Sequence, residues 1–352
     1  MIHDLRLQHF RSYDDDTFEF GAGVNIVVGP NASGKTNLLE AILVLSKGSS
    51  YRAGLRELVA FEQPWARLES HGEQDNRVLK IDCRQALPQK SFVIDTKTYT
   101  RLPYAKTLPT VLFEPTHLRL LSGSPESRRD FLDDLLEQTT PGFGTTRRAY
   151  KRTLAQRNNL LKKLSYGQTS ELFAWNIRLS ELGGQIFEKR RELIGNLVGE
   201  VDELYKKLSV SDKRVEIVYR ASCPESQYST QLLHRLEASM EDDIVRGYTS
   251  YGPHREDFVL LFDSRPAAEV ASRGEVRTAM LSLKIAELGL IESVRGLKPI
   301  LLLDDVFSEL DGARRQALTN YLTNYQSFIT TTDADVVLQH FIDNCTIIPM
   351  SN

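Results

Sequence analysis

VNIVV, GPNASGKT and NLLEAILVL run in succession over residues 24–45, and this stretch decides the fold. VNIVV (24–28) is a mostly apolar run, short enough for a buried strand. NLLEAILVL (37–45) carries the apolar spacing of a helix. Between them, GPNASGKT (29–36) fits G-x-x-x-x-G-K-[ST], in the strand-then-helix setting where that pattern binds phosphate. N–H groups of such a loop and of the helix N-terminus cradle phosphate oxygens. Gly29 and Gly34 permit conformations and close approaches that side chains would block. Lys35 supplies a cation for the β- and γ-phosphates, and the Thr36 hydroxyl is placed to bind Mg²⁺. With Pro30, Asn31, Ala32 and Ser33 in the loop and Asn37 opening the helix, residues 29–37 form the expected ATP-binding segment.

Working outward, ILLLDD (300–305) reads as a buried parallel strand ending in two acids. An acid at the C-terminal end of such a strand, beside a phosphate loop, is where Mg²⁺ needs a ligand. That role goes to Asp304. Asp305 is the candidate base that positions the attacking water, so the expected catalytic pair is Asp305 and Lys35. SRGE (272–275) precedes a helical run. On its own it is a serine helix cap. One helix ahead of the acidic strand it resembles the ABC signature, in which Ser272, Arg273 and Gly274 would face the γ-phosphate held by a second subunit. SELD (308–311) matches the D-loop of ABC heads. HFRSY (9–13) looks like the opening motif of their SMC/Rad50 branch, with Arg11 and Ser12 near the nucleotide.

Longer strings are more specific. GSPESRRDFLDD (123–134), LAQRNNLLK (154–162), YGPHREDF (251–258), SRGEVRT (272–278) and LLLDDVFSELD (301–311) resemble the RecF family, and the likeness covers essentially the whole chain. It implies an α/β ABC-type ATPase head with a mostly helical inserted lobe. It also implies an ATP-dependent homodimer that binds duplex DNA near single-strand gaps or junctions. Such a protein helps RecR and RecO-type mediators load the RecA recombinase in repair and stalled-fork restart. Some positions depart from the pattern. Glu275 stands where the family commonly has Gln. Asp305 is shorter than the usual ABC glutamate. No histidine follows strand 327–330, where Thr330, Thr331 and Thr332 stand, and TVLFEP (110–115) offers no Q-loop glutamine. A slow ATPase switch fits these departures better than a motor.

Texture divides the chain. Strand-like runs such as VLKIDC (78–83) and SFVID (91–95) predict a peripheral antiparallel sheet over 54–105, and helical sequence dominates from Arg128 to about Met240. The expected ATPase lobe is therefore discontinuous, 1–110 with 247–352, around a helical lobe at 111–246. At 352 residues and 41% hydrophobic, the chain can bury a large core. A net charge of −3 means that any nucleic-acid surface is local. Cys83, Cys223 and Cys345 are far apart, without C-x-x-C spacing, which suggests neither zinc nor disulfides. No run reaches the roughly 20 apolar residues of a membrane span. The N-terminus is a poor signal peptide, so a cytoplasmic, nucleoid-associated protein without a membrane partner is expected.

One local patch stands out. Residues 144–165 hold seven basic residues and no acid. On a helix Arg147, Arg148, Lys151, Arg152, Lys162 and Lys163 share one half, while Tyr150, Leu154, Leu160, Leu161 and Leu164 take the other. This is either a DNA-binding face that contacts phosphates or an ordinary solvated face. Arg157 falls on the apolar side, so an acid should neutralise it, with Asp130, Asp133 and Asp134 in reach on a neighbouring helix. Three other readings compete: a transporter ATPase subunit, a structural SMC-like protein, and a kinase or GTPase. The last leaves SRGE and SELD unexplained, and the insert lacks the sustained heptads of a coiled-coil arm.

Overall fold

The computed structural model describes residues 1–121, 123–164, 170–209, 212–333, 337, 339, 341 and 345–351. They form two compact units, Met1–His117 with Leu288–Asn352, and Leu118–Glu287.

The first unit holds two sheets. Strands β1 (Ile2–Phe10), β2 (Tyr13–Glu19), β4 (Trp65–Gly72), β5 (Asn76–Asp82), β6 (Gln89–Ile94) and β7 (Lys97–Tyr99) make an antiparallel sheet in the order β2-β1-β4-β5-β6-β7. Strands β3 (Val24–Val28), β8 (Thr110–Phe113), β12 (Ile300–Asp304), β13 (Ser327–Thr331) and β14 (Cys345–Pro349) make an all-parallel sheet in the order β14-β3-β13-β12-β8. The two ends of the chain therefore do meet, with β3 between β13 and β14. Both sheets contact helix α1 (Lys35–Lys47). Its residues Leu38, Leu39, Ala41, Ile42, Leu43, Val44 and Leu45 are each at most 3% exposed. A helix apolar nearly all round needs such cover on both sides. The short helix α2 (Leu55–Leu58) leads into the antiparallel sheet, which occupies the region expected from the alternating runs.

The second unit is mostly helical: α3 (Pro125–Thr139), α4 (Phe143–Leu161), α5 (Phe173–Ser209), α6 (Tyr228–Ala238), α7 (Met240–Arg246) and α8 (Ala267–Val270). The long α5 packs on α3, α4 and α6. Helix α9 (Arg273–Arg295) carries the chain back toward the first unit, where α10 (Val306–Glu309) and α11 (Gly312–Leu322) follow β12. A strand that sequence texture did not reveal, β9 (Val215–Arg220), pairs antiparallel with β10 (Asp257–Phe262) and lies against α5. β10 in turn carries the two-residue strand β11 (Arg265–Pro266). The compact units therefore divide at 117/118 and 287/288, and residues 247–287 belong with the helical unit rather than with the parallel sheet. The reason is local. β10 alternates buried and half-buried residues, the mark of a one-faced antiparallel strand, and its partner is β9. Among the described residues no helix is long and apolar enough to cross a membrane.

Candidate functional site

The phosphate loop leaves β3 at Gly29 and enters α1 through Gly34, whose φ of 93° is left-handed. Only glycine takes that conformation at little cost. A β-carbon at Gly34 would also press to 3.0 Å from the Ser12 hydroxyl, and one at Gly29 would collide with the Met350 carbonyl. No side chain caps α1 and no acid stands in its first turn, so its amide hydrogens remain available to an anion. The Lys35 ammonium donates to the carbonyls of Gly29 and Pro30, each at 2.7 Å, and holds the loop curved around it. Burial lowers its pKa, against the pull of Asp305 and Asp304.

The parallel register brings the acids to this loop. Thr36 Oγ1 donates to Asp304 Oδ1 at 3.0 Å, across 268 positions of sequence. Thr330, one strand over, donates to the same Asp304 oxygen at 2.7 Å. Its hydroxyl also accepts the Asp305 N–H at 2.9 Å. Thr330 therefore fixes both acids, a role that sequence reading missed because it sought a histidine there. The Thr36 hydroxyl and the Asp304 carboxylate are hard oxygen donors side by side, the donor set that Mg²⁺ takes. Asp305 has a left-handed backbone, with φ of 53°. Burial raises its carboxyl pKa and neighbouring Asp304 adds to this, against a Ser308 hydrogen bond. In the D-loop, Ser308 donates to the Asp305 carbonyl and Asp311 caps α11.

Arg11 and Ser12 stand beside the loop, and an unforeseen residue of α1 anchors Arg11 there. Glu40 on α1 is fully buried, and Arg11 grips it with two hydrogen bonds of 2.8 and 2.9 Å. Arg52 binds Glu40 at 2.9 Å and Asn37 at 2.8 Å, and Asn37 in turn donates to Ser12 at 2.9 Å. Burial alone would raise the Glu40 pKa, but Arg11, Arg52 and Ser50 outweigh it and hold the carboxyl at about 2. A permanently ionised acid thus draws two cations to the start of α1. The signal was legible in principle, since Glu40 is the one acid in an otherwise apolar helical run.

In the second unit, Ser272 caps α9. Its N–H donates to Glu275 Oε2 at 2.7 Å, and the Glu275 N–H donates to Ser272 Oγ at 3.3 Å. This reciprocal capping box gives residue 275 a structural task, and Lys213 pairs with its carboxylate. Lys213 first, then the Ser272 N–H, hold the Glu275 pKa at about 2. Ser272 and Arg273 are exposed and Gly274 is half-buried.

The basic row divides. Arg148, Lys151 and Arg152 on α4, and Lys162 and Lys163 just past its end, are exposed. Arg147 is not part of that surface. Only 12% exposed, it lies against Asp130, Asp133, Asp134 and Glu137 at 2.7 to 3.0 Å. The three aspartates were the partners expected for Arg157. Arg157, fully buried, pairs instead with Asp243 at 2.8 Å and binds Asn176 and Thr249 at 2.8 and 2.7 Å. Ten residues separate the two arginines, about 15 Å along the helix, so α3 serves the first and α7 the second.

A phosphate loop on a parallel sheet, acids at the end of β12 with β13 between it and the loop's strand, and a capped serine at a helix start define an ATPase head of the ABC and SMC type. Comparison with known proteins agrees. Residues 1–350 match the model of the RecF/RecN/SMC N-terminal domain. The DNA replication and repair protein RecF of Heliobacterium modesticaldum is 36% identical over 342 residues, covering 94% of this chain and 92% of that protein. RecF of Bacillus cereus is 34% identical, covering 100% of this chain and 97% of its own length. A solved chain described as the recombination mediator protein RecF-ATPrS in the RecFOR pathway superposes with a TM-score of 0.87 at 30% identity, over 99% of this chain and 96% of that one. This chain belongs to the RecF family. An SMC head shares the fold alone, at 15% identity and a TM-score of 0.52.

Proposed function

We propose that the chain is an ATP-dependent recombination mediator that binds duplex DNA near single-strand gaps as an ATP-induced dimer. The observation that carries the nucleotide part is the meeting of Thr36, Asp304 and Thr330 at 2.7 to 3.0 Å beside an uncapped α1. Residues 29–37 hold the phosphates, and Arg11 and Ser12 flank them. Thr36 and Asp304 hold Mg²⁺, which when bound neutralises charge on the β- and γ-phosphates. Asp305, with its raised pKa, orients the attacking water and accepts its proton. An aspartate reaches less far than a glutamate, and Thr330 occupies the place of a mobile histidine, so hydrolysis is slow and times a clamp.

Dimerisation follows from Ser272, Arg273 and Gly274. An exposed serine at a helix start suits a γ-phosphate presented by a second copy of the chain. Arg148, Lys151, Arg152, Lys162 and Lys163 then meet DNA phosphates without reading base sequence. RecR- and RecO-type proteins are the mediator partners, and RecA is the recombinase loaded. ATPase rates measured with duplex, single-stranded and gapped DNA test the reading. Stimulation should be strongest with gapped DNA, and a rate indifferent to all three would refute it.

A further inference from the structure

The exposed lysines at the end of α4 have neighbours that sequence does not place there. α7 ends at Gly247, whose left-handed φ of 72° turns the chain, and the Lys162 stem lies against that glycine. Two residues on, Thr249 is fully buried. Asn158 of α4 accepts from its N–H at 2.9 Å and from its hydroxyl at 2.7 Å, and Arg157 donates to the same hydroxyl. Tyr248 is therefore held between two fixed residues, yet it is 43% exposed. Val245, one turn earlier, is 77% exposed. The Arg255 guanidinium stacks 4.8 Å over the Tyr248 ring, and Arg246, Arg255, Lys162 and Lys163 are all exposed.

We propose that this corner of the helical unit binds single-stranded DNA, with Tyr248 and Val245 as the surface on which an unpaired base stacks. The proposal rests on the DNA reading above and narrows it. A duplex hides its base faces and needs only the lysine and arginine row. A single strand offers both a flat apolar face and phosphates. An aromatic with Arg255 over its ring and Lys162 against the adjoining Gly247 matches that combination, because stacking is indifferent to base identity and the cations follow the backbone. The rigidity matters: a side chain whose backbone is already pinned loses little freedom on binding. The row on α4 leads to this corner from Lys151, over about 15 Å of helix, so duplex and single strand can be held in succession.

Fluorescence anisotropy on the full chain, with a slowly hydrolysed ATP analogue, tests this with a plain duplex and a gapped duplex. Tyr248→Ala should weaken gapped-DNA binding by about 5- to 150-fold, the worth of one stacked base. Duplex affinity should hold, and the salt dependence should not change, since no cation is lost. Tyr248→Phe should bind as the unaltered protein does. In that protein, 2-aminopurine placed in the gap beside the duplex end should be quenched on binding, a readout that needs no variant. Equal loss on both DNAs, no loss on the gapped one, or an unquenched probe would each overturn the proposal. Failure of the unaltered protein to bind either DNA would instead remove the DNA reading on which it rests.

Discussion

Arg157 offers a test of how the helical unit is held together. Its guanidinium and the Asp243 carboxylate are both fully buried and 2.8 Å apart. Asn176 and Thr249 take two more of its donors. Burial lowers the arginine pKa, opposed by the hydrogen bond and charge of Asp243. Arg157→Met keeps much of the side-chain volume but leaves Asp243 as a buried charge without its cation. Removing one partner of a buried pair costs about 3–5 kcal/mol. For a unit of this size each kcal/mol lowers the melting temperature by roughly 2–4 °C, so a fall of about 6–20 °C is expected by calorimetry. Adding Asp243→Asn removes the orphaned charge while keeping an acceptor for the Ser250 N–H, which now bonds to Asp243 at 3.1 Å. The double variant should therefore recover at least half of the loss. The salt dependence of DNA binding should not change in either variant. A fall below about 2 °C, or a double variant less stable than Arg157→Met, would refute the account.

Three further outcomes follow. Lys35→Ala should abolish measurable ATP binding in equilibrium titration, whereas Asp305→Asn should bind ATP and slow single-turnover hydrolysis by about 10²–10⁴-fold; equal loss of binding would mean that the two acids are misassigned. Ser272→Arg should block ATP-driven dimerisation in light scattering and spare ATP binding, and a nucleotide-free dimer unchanged by the substitution would count against the sandwich. Lys162→Ala with Lys163→Ala should flatten the log–log salt slope of DNA binding by about two per engaged protomer; an unchanged slope would make this end of α4 a solvated face.

Much of the first unit was legible because phosphate chemistry constrains sequence locally. The glycines, Lys35 and Thr36 must be contiguous, and a strand buried on both faces must read as an apolar run. What was illegible depended on partners far apart in the chain. VEIVYR (215–220) alternates weakly, and only pairing with β10 makes it a strand. β14 closes the parallel sheet from the end of the chain against β3, and its short run gave no sign of that partner. Arg157 shows the limit most clearly. The apolar side of a helix demands that a guanidinium be neutralised, so the pair could be read, but spacing cannot say which helix packs there. The acids of α3 went to Arg147 and Arg190 instead. That competition also removed Arg147 from a row in which helical periodicity alone had placed it.

The same reasoning explains why the nucleotide site uses threonine and glutamate where no motif asks for them. Asp304 and Asp305, proposed to bind metal and to position water, are adjacent, and adjacent side chains point to opposite sides of a strand unless the backbone turns between them. Asp305 makes that turn by adopting a left-handed conformation, which is unfavourable for a non-glycine residue and persists only when its surroundings hold it. Thr330 supplies the hold: one hydroxyl accepts the Asp305 N–H and donates to the Asp304 carboxylate, so it fixes the turn and the ligand together. Glu40 does the corresponding work on α1. A carboxylate held at about 2 remains charged through any physiological pH, so Arg11 and Arg52 stay where it draws them. Both devices act by restricting geometry rather than by adding a reactive group. A site built this way restricts where phosphate, metal and water would sit, which is the arrangement the proposed slow timer would use.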